Sequence, residues 1–259
     1  MTGRAFTVLN GLAFVGVVVL NGLAATGALS GRSIGELANR DPTYFLPADY
    51  VFGIWSLIYA GLLGFVVYQA LPRPASRATV ERVRWLWTIN AALNAAWLMA
   101  FSFERFLLAW TLMIGLLVDL IFLYGRVHVG GLRPRRGDWW FVSLPFGVYL
   151  AWISVATISN TAQLLQVLGW NGLGLPGPTW AMVFMAAATG LAVVFALKRR
   201  DVTFGLVVGW ALTGIAVRFP DQRPLAATGW VLGLASVAMA LWAARPGRQA
   251  PNQPTTTPA

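Results

Sequence analysis

The 259-residue chain contains no cysteine and a single histidine, His128. Without thiols there are no disulfides, no thiolate metal sites and no cysteine nucleophile. One imidazole, set between basic residues in a loop, cannot supply a bis-histidine haem site or a multi-histidine metal centre from one chain. Lysine is as scarce. Lys198 is the only one and stands at the end of an apolar run, which leaves no mid-membrane amine for a retinal Schiff base. Charge as a whole is thin: 11% of residues are Asp, Glu, Lys or Arg, where a soluble domain needs about 25% to cover its surface. No Ser–His–Asp set, paired carboxylates or metal cluster is legible, so ordinary hydrolytic chemistry has no residues to use.

What is there is apolar length. Hydrophobic residues make up 58% of the chain, gathered into runs long enough to cross a hydrocarbon core, which takes about 20 residues of helix. Eight such segments read at about 6–29, 49–71, 84–103, 106–125, 139–163, 178–197, 202–218 and 225–243, the seventh being the shortest. Away from their ends the only charge inside them is Asp119. Backbone amides have no water partner in hydrocarbon, so the segments must be helical, and they are too long and too evenly apolar for barrel strands. The expected fold class is all-α: a polytopic membrane helical bundle of eight helices, an integral protein whose first partner is the lipid bilayer.

The net charge of +10 would suggest nucleic acid in a soluble protein, but here the basic residues sit in short loops between apolar runs, where they set orientation. One side holds Arg4, Arg73, Arg77, Arg82, Arg84, Arg126, Arg133, Arg135, Arg136, Lys198, Arg199, Arg200, Arg245 and Arg248, fourteen in all. The other holds five: Arg32, Arg40, Arg105, Arg218 and Arg223. That asymmetry places both termini in the cytoplasm and loop 30–48 outside, with no nucleic-acid partner, in what reads as a bacterial cytoplasmic membrane. The first segment has a basic start like a signal peptide, but its apolar stretch exceeds the usual h-region and is expected to be a retained helix.

The expected organisation is a five-helix core over 1–165, a Gly/Pro-rich hinge loop at 166–177, three further transmembrane helices over 178–244 and a disordered tail at 245–259. The hinge contains GWNGLGLPGP, which carries no charge and breaks a helix. The tail, RPGRQAPNQPTTTPA, has nothing to bury.

Thirteen tryptophans are many. Those near segment ends fit an interfacial aromatic belt. Trp55, Trp97 and Trp152 lie deeper, and helical spacing puts each in a stripe. Phe52, Trp55, Tyr59 and Leu62 share a face of the second span, and Asn90, Asn94, Trp97 and Phe101 one of the third. Pro145, Tyr149, Trp152, Ala156 and Asn160 do the same on the fifth. Asn10 and Asn21 coincide on the first. Amides are costly against lipid, so these stripes point to a common interior. Interhelical packing is one reading of that interior. The other is a cavity lined by rings for a flat, hydrophobic ligand.

Four stretches then carry a resemblance. DPTYFLPADYVFGIWSLIY (41–59), TGAL (26–29), LNAAW with Phe101 (93–101) and YLAWISVATISN (149–160) come in the order and at the separations of the tryptophan-rich sensory protein and translocator protein family (TspO/MBR), which residues of about 6–163 resemble. The resemblance implies a TspO-like core of five tilted helices with a pocket under the first extramembrane loop, and three additional C-terminal helices outside it. It implies a ligand: a porphyrin or other tetrapyrrole, or a sterol-like molecule. No cofactor is expected, porphyrin being a possible ligand only. It also makes Trp55 and Trp152 pocket tryptophans, Ala156 a small pocket position, Asn94 and Trp97 the third-helix pair and Tyr44 a loop aromatic. With the ring stripes, Tyr59 and Tyr149 complete the expected ligand-binding set. Two positions depart from the family pattern: Thr43-Tyr44 stands where Trp-Trp is common, and Asp49 where an aromatic is frequent.

Asp119 lies about two turns from Arg126 and is expected to serve structure before proton or ligand chemistry. Asp49 reads as an N-cap. Ala92, Ala96 and Ala100, at four-residue spacing on the third span, allow close helix approach, and with the resemblance imply a homodimer through that helix. The leading functional expectation is a membrane receptor, sensor or carrier for a porphyrin-like ligand among spans one, two, three and five. The alternatives are light- and oxygen-dependent porphyrin degradation, reported for some members of the family it resembles, and small-molecule transport using Asp119.

Overall fold

The computed structural model describes residues 3–40, 42–71, 74–128 and 135–245. Among these every regular element is helical, and the protein is a polytopic helical membrane bundle. Nine helices follow in order: α1 (Gly3–Ala25), α2 (Ile34–Arg40), α3 (Ile54–Ala70), α4 (Pro74–Ser102), α5 (Phe106–Val127), α6 (Arg136–Val167), α7 (Gly177–Arg199), α8 (Val202–Arg218) and α9 (Arg223–Ala244). All eight expected spans are helices, and α2 is a short extra one in the first long loop. Six are long and apolar enough to cross a membrane by length and composition. Of the other two, α4 is long but carries Asn90 and Asn94 in its apolar half, and α8 has 17 residues, about 26 Å of helix. The tail expected at 245–259 lies, beyond Arg245, outside the described residues.

Two boundaries move for physical reasons. The third span starts at Pro74 rather than near 84, because the charged turns through Glu81 and Arg84 continue the helix beyond its apolar part. The fifth opens with a widened π turn at Trp139–Ser143. Pro145 follows within it and has no N–H to return to the carbonyl of Phe141, so the ladder loosens there.

The central post is α6. Of its membrane window 72% is buried inside the bundle, against 22–33% for the other five long spans. It touches α3, α5, α7 and α8, so it belongs to both halves of the chain, and one contiguous core runs from Val17 to Leu225. Buried amides tie α1 into this core. Asn10 donates to Gln69 Oε1 (2.9 Å) and to the Arg84 carbonyl (3.1 Å), and accepts from Thr88 Oγ1 (2.7 Å). Leaving such an amide unpaired in hydrocarbon would be costly, which is why it fixes the packing of α1 on α3 and α4.

The connections α1–α3, α4–α5, α6–α7 and α8–α9 meet at one end of the bundle. Arg40 pairs with Glu104, Tyr44 packs on Phe219, and Trp180 Nε1 donates to the Gly172 carbonyl (2.8 Å). These are the loops that the charge count puts together on one side.

Candidate functional site

Phe52, Trp55, Trp97, Phe101, Trp152 and Ala156 enclose a cavity at that end of the bundle. The indoles arrive from three helices. Trp55 on α3 lies 6.3 Å from Trp152 on α6, ring edge to face, and 6.5 Å from Trp97 on α4, nearly parallel. The spacing that puts each ring on an inward face is the 3.6-residue period, and the register between helices is set by amides. Asn21 on α1 donates to Asn94 Oδ1 (3.3 Å), and Asn94 donates to the Tyr149 hydroxyl (2.8 Å), so one chain of hydrogen bonds crosses α1, α4 and α6. Trp97 Nε1 donates to Asn160 Oδ1 (3.3 Å). The Trp152 indole N–H is buried without a hydrogen-bond partner among the described residues. An unmet donor of this kind costs about 1–3 kcal/mol.

A lid closes the cavity. Ile34 and Ala38 of α2 and Thr43, Leu46 and Pro47 of the loop after it line the upper wall. Helix α2 begins with a reciprocal cap, Ser33 N–H to Glu36 Oε2 (2.7 Å) and Glu36 N–H to Ser33 Oγ (3.1 Å). The Ser33 amide, then its hydroxyl, holds the Glu36 carboxyl below the usual range. On one flank the lid is tied by exposed ion pairs from Arg32 (3.3 Å) and Arg40 (2.6 Å) to Glu104. On the other it rests on α8: Ala48 N–H bonds the Gly214 carbonyl (3.1 Å), Trp210 Nε1 the Val51 carbonyl (3.1 Å), and Arg218 reaches Asn39 Oδ1 (2.6 Å), the Pro47 carbonyl (3.4 Å) and Asp49 (3.5 Å). Asp49 is therefore not an N-cap. It opens a 3₁₀ turn, Asp49–Gly53, makes no cap bond, and takes Asn39 Nδ2 (3.1 Å) and Arg218 instead.

Of the residues expected at the site, Trp55, Trp97, Trp152 and Ala156 line the cavity. Tyr59 and Tyr149 stand behind Trp55, at 5.6 and 6.0 Å between ring centres, and Asn94 behind Tyr149. Tyr44 is elsewhere: it packs on Phe219 (5.4 Å) and lines a neighbouring cavity on the far side of the loop. Val155, Ser159 and Gln163 of α6 also line the ring-walled space, along with the lid residues. Helical spacing could have found Val155 and Ser159 beside Trp152, whereas nothing in the sequence marks which loop residues fold over.

The space itself is small, about 70 Å³, against roughly 300–1,000 Å³ for the pocket of a drug-sized ligand. The closed lid thus leaves room for only a small group between the rings. Asp119 is not part of the site. It is buried between α4 and α5, accepting from Asn90 Nδ2 (3.1 Å). No group of three or more His, Cys, Asp or Glu that could hold a metal occurs among the described residues.

A sequence model of the family described as TSPO-like protein matches residues 7–243. The match runs past residue 163 through the last three helices. No curated protein and no solved structure matches the chain.

Proposed function

Because the chain belongs to the TSPO-like protein family, we propose that this membrane protein binds a porphyrin or similar flat hydrophobic ligand as a receptor, sensor or carrier. The observation that carries the reading is the meeting of Trp55, Trp97 and Trp152, from three helices, around a lidded space. Parallel and edge-on indoles offer a planar ring large contact area at low entropic cost, and Ser159, Asn160 and Gln163 in the lining offer polar groups to fix its orientation. The lining carries no charged side chain, which suits a ligand whose polar groups remain at the rim.

A porphyrin exceeds the closed space, so binding proceeds through displacement of the lid. The flank held by Glu104 is the one to yield: its ion pairs are exposed, and such pairs contribute about 0–1 kcal/mol. The α8 flank, with backbone and indole bonds, stays as the pivot. The test is a titration of the purified protein with protoporphyrin. Saturable quenching of tryptophan emission is expected, and its loss in the Trp55→Phe, Trp152→Phe double variant. Equal, non-saturating quenching in both proteins removes the proposal.

Two further elements belong to it. Both termini lie on the cytoplasmic side of a bacterial cytoplasmic membrane, as the basic loops direct. The chain pairs as a homodimer through α4, where Ala92 is exposed and Ala96 half-buried; Ala100 is already used inside the bundle, so only the earlier part of the stripe is open. In this cysteine-free chain Ala92→Cys gives a single thiol, and oxidation to a covalent dimer in membranes is the expected result. A monomer on non-reducing gels would exclude that interface.

A further inference from the structure

A larger cavity, about 300 Å³, lies on the other side of the loop that closes the ring-walled space. Its walls come from the end of α6, the connection through Trp170–Leu175, the start of α7 and Thr43–Phe45 of the loop between the two cavities. Five aromatic residues line it: Tyr44, Phe45, Trp170, Trp180 and Phe184. Trp170 and Trp180 sit 4.9 Å apart at an angle of 59°, Trp180 lies 6.0 Å from Phe184, and Phe184 meets Phe45 edge-on at 5.9 Å. The rings make a continuous wall rather than scattered interfacial anchors.

The wall is held open by backbone. Trp180 is fixed by its bond to the Gly172 carbonyl. Gly172 has φ of 67°, in the left-handed region, and a Cβ there would come within 3.4 Å of the Trp180 indole nitrogen. Gly177 likewise has no room for a side chain, since a Cβ would stand 2.8 Å from the Tyr44 ring. Polar contacts at the rim come from Thr43, Gln166 and Asn171. Asn171 Oδ1 is already taken by the Leu173 N–H (3.0 Å), and its amide NH₂ has no partner among the described residues. No charged side chain lines the cavity.

We propose that this outer cavity is a second binding site, for a small bicyclic aromatic amphiphile that stacks on Trp170 and Trp180 and turns a hydroxyl or carbonyl toward Asn171. Its volume is at the lower end of the range for small-molecule sites. It also opens to the end of the bundle where the loops gather, so the ligand arrives from the membrane–water boundary. The site stands independently of porphyrin binding in the inner space, from which Thr43, shared by both linings, separates it.

The absence of native cysteine gives a direct test. Gln166→Cys puts one thiol in the outer cavity, and Ala28→Cys puts one on an exposed turn outside it. The full-length protein in lipid nanodiscs is labelled with a charged maleimide, with and without 2-naphthol. At a probe concentration about ten times its Kd, labelling of Gln166→Cys slows by about tenfold, while Ala28→Cys is unaffected. Adding Trp180→Ala removes the protection. Should that change disturb the α6–α7 connection, seen as aggregation on gel filtration, the half-exposed Trp170→Ala serves in its place. Labelling that 2-naphthol does not slow, slowing that is equal at Ala28→Cys, or protection that survives both tryptophan changes overturns the proposal. A failure of porphyrin to quench tryptophan emission leaves this result untouched, so the two readings fall separately.

Discussion

The two halves of the bundle are packed by opposite means. Around Trp55 the helices are held apart by large rings and joined by side-chain amides, and space is left between them. Between α8 and α9 the contact is backbone on backbone. A Cβ on Gly205 would stand 2.5 Å from the Ser236 carbonyl oxygen, one on Gly229 2.9 Å from the Leu212 carbonyl, and one on Gly233 2.8 Å from Thr213 Cγ2. Rigid rings tile poorly and leave hollows, whereas missing side chains let helices close completely. The two kinds of packing divide the labour: the ring-built half makes room for ligands, and the glycine-built half is a brace. The brace is coupled to the lid, since Gly214 gives its carbonyl to Ala48 and a Cβ there would overlap Val51.

The brace is the more easily broken of the two. Gly205→Ala forces α8 from α9, and because the obstacle is a backbone carbonyl no rotamer change relieves it. Overpacking of this kind costs about 1–3 kcal/mol. The expected result is a thermal midpoint in detergent several degrees lower, read by loss of helical circular dichroism. Gly16→Ala is the counterpart in the ring-built half. A Cβ at Gly16 meets nothing within 4 Å, and since alanine is the better helix former by about 1 kcal/mol, stability should hold or rise. If the two substitutions were equivalent, close backbone packing would not be what distinguishes the C-terminal helices.

How far this division can be read in the sequence depends on periodicity. The spans and the inward stripes of α3, α4 and α6 are legible because helical repeats put Trp55, Trp97 and Trp152 on faces whose other members are also aromatic or amide. Asp119 stands out in the sequence as a carboxylate within an apolar span, but its partner Asn90, which lies on another helix, does not. The lid is the part that periodicity cannot reach. Ile34, Ala38 and Pro47 line the cavity through loop geometry, and Arg218 meets Asp49 across some 170 positions. The GWNGLGLPGP stretch reads as a hinge because its residues break helices. That same property, through Gly172 and Gly177, also shapes the wall of the outer cavity. Asp49 has the position of a cap, and position alone cannot tell a carboxylate that bonds its own helix from one that bonds two distant side chains.

The finest test of the comparison lies in the two flanks of the lid. Arg218 belongs to the brace. Its guanidinium side chain is 20% exposed and holds Asn39, the Pro47 carbonyl and Asp49 together, and hydrogen bonds to a charged group contribute about 1.5–3 kcal/mol. Arg40 belongs to the ring-built half. It is 40% exposed and pairs with a Glu104 that is 37% exposed, which limits its worth to about 1 kcal/mol after solvent screening. The Ala48 amide, bonded to the Gly214 carbonyl, reports release of the lid from α8 directly by hydrogen exchange. Arg218→Ala should therefore speed exchange at Ala48 by about tenfold or more, each 1.4 kcal/mol being a factor of ten. Arg40→Ala should change it by less than about fivefold on the same scale. Raising the salt concentration should narrow the effect of Arg40→Ala further, because exposed pairs are screened, and leave that of Arg218→Ala nearly intact. A reversal of this order would mean that the lid is held chiefly at Glu104 and swings away from α8, and the glycine-packed helices would then be bystanders to ligand access rather than its support.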